Sequence, residues 1–233
     1  MLEEVSRGHH PVPTTGMIGQ GVLRECLLDP AVSEVLVIGR TPTGQTHPKL
    51  REVVHKDLYD ITPLEPGLRG LDACFFCLGV TSAGMKEPEY ARVTHDLTLG
   101  VAKVLSRASP QLTFVYVSGA GTDSTEKGRS MWARVKGRTE NDLLREPLRA
   151  FMFRPGFVQP MHGVKSKTGW YRAFYAVGRP LYPVLKRVAP NAVCTNDEVG
   201  RAMVEVAARG YEKHIVESAD IVALARRRPS TNG

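Results

Sequence analysis

The segment Thr14-Thr15-Gly16-Met17-Ile18-Gly19 runs straight into the amphipathic stretch Gln20 to Leu28. Glycines three apart before a helix have the spacing of a phosphate-binding turn. The backbone can come close to an anion there, and the helix behind points its first N–H groups at the same place. The segment therefore reads as the last two thirds of a glycine-rich phosphate loop. Pro13 stands where a Gly-x-x-Gly-x-x-Gly pattern would put its first glycine. The residues before it, Arg7-Gly8-His9-His10-Pro11-Val12, make a poor strand, because proline cannot donate to a ladder. Residues 1 to 13 are accordingly expected to be an irregular substitute for a central strand, or the product of a wrong start or a shifted frame upstream of Thr14. His9 and His10 read as solvated residues.

Outward from the loop, apolar side chains at Met17, Ile18, Val22, Leu23, Leu27 and Leu28 form a helical stripe that Asp29-Pro30 stops. Glu34 to Ile38 reads as a buried strand ending at Gly39-Arg40. Residues 41 to 50 read as a surface loop, Glu52 to His55 as a short strand, 61 to 69 as a short helix or turn, and Leu71 to Leu78 as an apolar strand. The alternation continues with a helix over Glu87 to Ala108, a strand over Leu112 to Val117, a helix over Arg129 to Arg145 and a strand over Arg149 to Phe153. Such alternation predicts parallel strands joined by helical crossovers. The expected fold is α/β, a Rossmann-like doubly wound parallel sheet with a degenerate first strand and a small C-terminal substrate-side region. One domain over 1–233 is expected, with a substrate-side region over 155–220 that includes a helix from Asn196 to Arg209 and an edge strand at 213 to 217. The tail 221–233 is expected to fray.

Composition narrows the function. The chain has 233 residues, 42% of them hydrophobic, enough for one sizeable core. There is no run of about eighteen apolar residues to span a membrane and no apolar region of a secretory signal, so a cytoplasmic location is expected. The net charge of +7 is spread along the chain apart from Arg226-Arg227-Arg228, which argues against nucleic acid as the partner. Cys74 and Cys77 have the spacing of half a zinc site, but they lie in an apolar strand-like run with no second pair to complete it, so no metal is expected.

The ordered set of Thr15 to Gly19, the strand end Ile38-Gly39-Arg40, the run Phe76-Cys77-Leu78-Gly79-Val80-Thr81, and Val117-Ser118 followed by Lys136 and Arg154-Pro155-Gly156 resembles an atypical short-chain dehydrogenase/reductase. More narrowly it is similar to the epimerase-like, NAD(P)-binding branch typified by the Tat-interacting protein and bacterial oxidoreductase-like relatives. The resemblance covers roughly residues 14 to 220. It implies that Thr15, Gly16, Met17, Ile18 and Gly19 cradle a pyrophosphate. Asp57 and Leu58 would border the adenine, Leu78, Gly79 and Val80 would lie under its ribose, and Pro155, Gly156, Phe157 and Val158 would cover the nicotinamide. Arg40 falls where an acidic residue would bind the ribose hydroxyls of NAD. A guanidinium there suits a 2′-phosphate, so NADP(H) is favoured over NAD(H).

The same resemblance implies that Lys136 binds the nicotinamide ribose and acts in catalysis with Ser118, a serine that also reads as a cap on the strand end. The tyrosine that should stand four residues before the lysine is replaced by Trp132, whose indole N–H has no proton to give at working pH. Thr122 and Ser124 are the candidate stand-ins for the serine hydroxyl, and His162, Tyr171 and Tyr175 those for the tyrosine. The expected function is NADP(H)-dependent oxidoreductase or epimerase-like chemistry on an unknown small carbonyl or hydroxy substrate. The alternatives are a non-catalytic NADP-binding sensor or interaction protein, or a chain that no longer binds cofactor. The aromatic and basic cluster Trp170 to Tyr182 also permits a peripheral membrane contact.

Overall fold

The computed structural model describes the backbone of residues 2–5 and, in full, residues 16–162 and 193–228. In chain order these form β1 (Leu2–Val5), α1 (Met17–Leu28), β2 (Val35–Gly39), β3 (Leu50–Val54), a 3₁₀ turn (Thr62–Leu68) and β4 (Ala73–Phe76). Next come α2 (Glu87–Ala91), which passes through a π-helical turn at Arg92–Asp96 into α3 (Leu97–Ala108), then β5 (Thr113–Val117), α4 (Met131–Leu143) and β6 (Arg149–Arg154). The described chain closes with β7 (Phe157–Gln159), β8 (Val193–Thr195), α5 (Asn196–Arg209), β9 (Ile215–Glu217) and α6 (Ser218–Arg227). Seven strands form one sheet in the order β3-β2-β1-β4-β5-β6-β9, and β7 pairs with β8 in a second, two-stranded sheet.

Period-two alternation along the strands builds two cores, one on each face of the large sheet. Val35, Val37, Ala73, Phe75, Val115, Phe151 and Phe153 pack with α1, α5 and α6. Their neighbours Leu36, Ile38, Cys74, Phe76, Phe114, Tyr116 and Met152 pack with α3 and the 3₁₀ turn on the other face. Strands covered on both faces must be apolar throughout, which is why they read as continuous apolar runs. On the first face α1 and α5 approach so closely that a Cβ on Gly21 would lie 2.5 Å from the Asn196 main-chain oxygen.

The parallel expectation holds for β2 with β3 and for β4, β5, β6 and β9 in succession. β1 departs from it. This four-residue strand fills the central slot between β2 and β4 but runs antiparallel to both, with Leu2 opposite Ile38, Glu3 opposite Val37, Glu4 opposite Cys74 and Val5 opposite Ala73. An empty slot would leave two strand edges unpaired, so even a short segment of poor composition gains by occupying it. Its direction matters for the site. Val5 ends beside Ala73, the first residue of β4, whereas Gly16, which opens α1, sits near the carbonyl of Cys77 just past the other end of β4. The strand that in a doubly wound fold points the chain at the phosphate loop here points away from it. Leu2–Val5 thus make the expected substitute for the central strand, paired on both sides but reversed in direction; residues 6–13 lie outside the described residues.

The fraying expected from 221 is also corrected. Ser218–Arg227 form α6, which buries Ile221, Val222, Leu224 and Ala225 against the α1–α5 layer. Its N-terminus is closed by a capping box between Glu217 and Asp220. Beyond its last turn, Arg228 is bound by Asp29 and, at 3.1 Å, by Glu205. The run of arginines that reads as a solvated tail ends in a residue that ties three helices together.

Candidate dinucleotide site

The site lies at the carboxyl ends of the parallel strands, where crossovers to opposite faces diverge and leave a crevice. α1 begins there. Gly16 is its N-cap in extended conformation, no side chain among the described residues caps the first turn, and no acidic residue lies within it. The first N–H groups of a helix have no intrahelical acceptor and carry about half a positive charge between them. In α1 no side-chain cap among the described residues compensates that charge. Gly16, Met17 and Ile18 line a cavity of about 390 Å³ together with the ends of β4, β5 and β6.

The residues singled out in the sequence meet at this cavity in large part. Leu78, Gly79 and Val80 line it after β4, Ser118 after β5, Lys136 from α4, and Pro155, Gly156, Phe157 and Val158 after β6. Gly19 is buried in the first turn of α1 and does not line the cavity. Arg40 is exposed at the end of β2, outside the lining. Asp57 folds back to accept the Tyr59 backbone N–H at 3.0 Å, and Leu58 packs into the core with Ile38 and Ile61, so neither reaches the cavity. Thr15 lies outside the described residues, as do Tyr171, Tyr175 and the cluster Trp170 to Tyr182. The structure adds Cys77, Thr81, Val117 and Gly119 to the lining. Cys77 and Gly119 each sit one or two residues past a parallel strand, and that position was the available signal for both.

Lys136 is the chemically distinctive group. Its ammonium donates to the main-chain oxygen of Ser118. Burial lowers its pKa to about 8, opposed by the negative charge of Glu140 one helical turn further on. The Ser118 hydroxyl donates to the Phe153 carbonyl at 3.2 Å, so it ties β5 to β6. Thr122 donates to the Gly119 carbonyl at 2.7 Å, and Ser124 accepts from Arg154 at 2.5 Å. His162 is paired to Asp197 at 2.7 Å and does not line the cavity. Trp132 packs its ring over Gly121. Tyr116 is fully buried, its pKa pushed up by burial. Among the described residues the titratable groups lining the cavity are Lys136 and Cys77, with neither tyrosine nor histidine.

Behind Lys136 lies a buried ion pair. Arg154 donates to both carboxylate oxygens of Glu140, which is fully buried, and reaches Glu217 at 3.2 Å. Because Arg154 immediately precedes Pro155, and the Ala120 N–H donates to the Pro155 carbonyl at 2.9 Å, this pair fixes the loops that follow β5 and β6. Among the described residues no group of three metal-binding side chains occurs.

Comparison with solved structures gives the same architecture. The chain superposes on the NAD+ complex of the Bordetella bronchiseptica enzyme WbmF with a TM-score of 0.63 and 16% identity, covering 96% of this chain and 78% of that one. It matches Helicobacter pylori ADP-L-glycero-D-manno-heptose-6-epimerase at 0.66 and 12%, covering 95% and 81%. A short chain dehydrogenase family protein from Francisella tularensis matches at 0.61 and 12%, covering 92% and 98%. The fold is that of the short-chain dehydrogenases. No family model matches the sequence. Among curated proteins, the mitochondrial protein fmp52 of Emericella nidulans is 30% identical over 152 residues, 62% of this chain and 64% of that protein's length. Its Chaetomium globosum counterpart is 25% identical over 224 residues, 91% of this chain and 94% of that protein.

Both curated relatives are named mitochondrial, and this overturns the cytoplasmic expectation. That expectation rested on the lack of a secretory apolar segment, a feature that separates secreted chains from others and is blind to mitochondrial placement. Among the described residues no helix is long and apolar enough to cross a membrane.

Proposed function

We propose that this chain is an atypical short-chain dehydrogenase/reductase that binds a nicotinamide dinucleotide, NADP(H) in preference to NAD(H), and acts on a small carbonyl or hydroxy substrate in mitochondria. One observation carries the reading: the uncapped N-terminus of α1 and the ammonium of Lys136 line the same cavity at the strand ends. The N–H groups of Met17 and Ile18 would hold the pyrophosphate, Lys136 the ribose beside the nicotinamide, and Pro155 to Val158 its outer face. Arg40, exposed beyond β2, would take the 2′-phosphate. The chemistry a nicotinamide dinucleotide supplies when bound is transfer of a hydride to or from carbon.

What this chain must add is a proton. Trp132 cannot give one, and Ser118, Thr122 and Ser124 are held by neighbours. Lys136 can, either directly or through water, since with a pKa of about 8 it is protonated at neutral pH yet acidic enough to donate. The sign of the pH dependence follows. The ammonium persists below about pH 8 and is lost above it, so reduction is expected to fall as pH rises through about 8. Lys136→Met should lower kcat by ~10²-fold or more and flatten that limb, as measured by NADPH oxidation across pH 6 to 10 with a carbonyl panel. Turnover that is undiminished in Lys136→Met would remove the lysine from catalysis.

Trp132 also supports a second reading, in which the chain binds the dinucleotide without turning it over and presents a surface that responds to occupancy. A thermal-shift titration with NADPH, NADP, NADH and NAD tests the binding common to both. A ligand at ~100 times its Kd should stabilise the fold by about 2.7 kcal/mol, and the phosphorylated pair should act at lower concentration. Arg40→Ala should erase that preference. No shift with any of the four would sink both readings.

A further inference from the structure

A second groove opens at the opposite end of the sheet, where β5, β6 and β9 begin. It has a volume of about 580 Å³ and is lined by Arg149, Arg209 and Arg227, by Phe151, Tyr211 and His214, and by the carboxylate of Glu212. Three guanidinium groups thus face one carboxylate. Beside the groove, Lys213 donates to Asp220 at 2.8 Å. Arg209 has Glu205 at 3.6 Å. Arg149 and Arg227 have no carboxylate partner among the described residues. Arg149 is held instead by neutral acceptors, the Thr113 hydroxyl at 2.8 Å from Nε and the Ala207 carbonyl at 3.2 Å. Arg227 lies over the Tyr211 ring at 5.8 Å from its centroid. The wall between them is aromatic, with His214 stacked on Phe151 at 5.4 Å and its Nδ1 bonded to the Ala150 carbonyl.

The carboxyl ends of α5 and α6 come to this end of the molecule and together contribute about one negative charge. That offsets part of the positive charge and leaves a surplus. Guanidinium groups gathered in one groove repel each other until an anion sits among them, and their forked N–H geometry matches phosphate oxygens. The fixed posture of Arg149 lowers the ordering cost of such a contact.

We propose that this groove is a second anion site, separate from the dinucleotide cavity, that binds a phosphate group through Arg149 and Arg227 with Arg209 at its rim. A soluble phosphate compound and a phospholipid headgroup both present that chemistry, and the test separates them. Inorganic phosphate binding is followed by titration in low salt. Cosedimentation is measured with phosphatidylglycerol vesicles and with phosphatidylcholine vesicles. Each is repeated on Arg227→Gln, on Arg149→Gln/Arg227→Gln, and on the charge-matched control Arg51→Gln/Arg138→Gln, whose residues lie outside both sites. Among the described residues Arg227 has no ion pair, only its contact with the Tyr211 ring, so its variant keeps the test open if the double variant unfolds. The expected result is a loss of roughly tenfold in affinity for each groove arginine removed and little change in the control. Loss confined to phosphate assigns a soluble ligand; loss confined to phosphatidylglycerol vesicles assigns a headgroup. Absence of binding in both assays, or equal losses in the groove variants and the control, overturns the proposal.

Discussion

Arg154→Met is expected to cost about 3–5 kcal/mol of folding free energy, because it removes the partner of a carboxylate that has no access to water. Glu140 is fully buried, and Arg154 meets both of its oxygens. Without the guanidinium, Glu140 must either keep an uncompensated charge in the core or take up a proton. Urea unfolding measures the loss. The double variant Glu140→Leu/Arg154→Met should recover most of it, since an apolar pair of similar volume carries no desolvation penalty. A loss below ~1 kcal/mol in the single variant would mean that water reaches Glu140 after all. The effect extends to the site. The same pair holds Pro155 and Ser124 in place, and Glu140 favours the charged form of Lys136. Dinucleotide binding should therefore weaken in Arg154→Met beyond what the fraction unfolded accounts for.

The second large effect concerns β1. Replacing residues 1–13 by a Val/Ile-rich segment that ends in glycine at position 13 should let a parallel strand fill the slot between β2 and β4. In the present chain two residues pair with each neighbour, whereas β2 and β3 share five paired positions. About four further ladder hydrogen bonds at ~1 kcal/mol each amount to about 4 kcal/mol, or roughly 8–16 °C in melting temperature for a domain of this size. A parallel strand would also deliver the chain directly to Gly16. Affinity for NADPH should then rise along with stability. An unchanged melting temperature would show that the antiparallel segment already satisfies the slot.

These two cases mark where sequence reading works and where it stops. The helix Met17 to Leu28 and the strand at Val35 were legible because each is set by local pattern: a 3.6-residue stripe closed by Asp29-Pro30, and an apolar run closed by Gly39. Lys136 and the residues after β4 and β6 are legible through the ordered motifs that carry the family resemblance, and the fold brings the α4 lysine and those strand ends to one cavity. Leu58 and Asp57 show the limit. The family resemblance implies the adenine for them, but Leu58 gains more by joining Ile38 and Ile61 in the core, and Asp57 spends its carboxylate on a local turn. Nor could α6 be read from a tail rich in arginine, since what fixes it is packing on α5 and on the strands beneath, β6 and β8.

Local pattern is enough to read an alternating α/β chain, a glycine-rich turn at Gly16 to Gly19 and the helix behind it. Those features depend on residue type and on spacing within one or two elements. The direction of the first strand, the burial of Glu140 against Arg154 and the gathering of Arg149 and Arg227 in one groove emerge only once the chain is folded. Each of these turns on which distant segments become neighbours and how much water lies between them, and neither quantity is carried by local pattern.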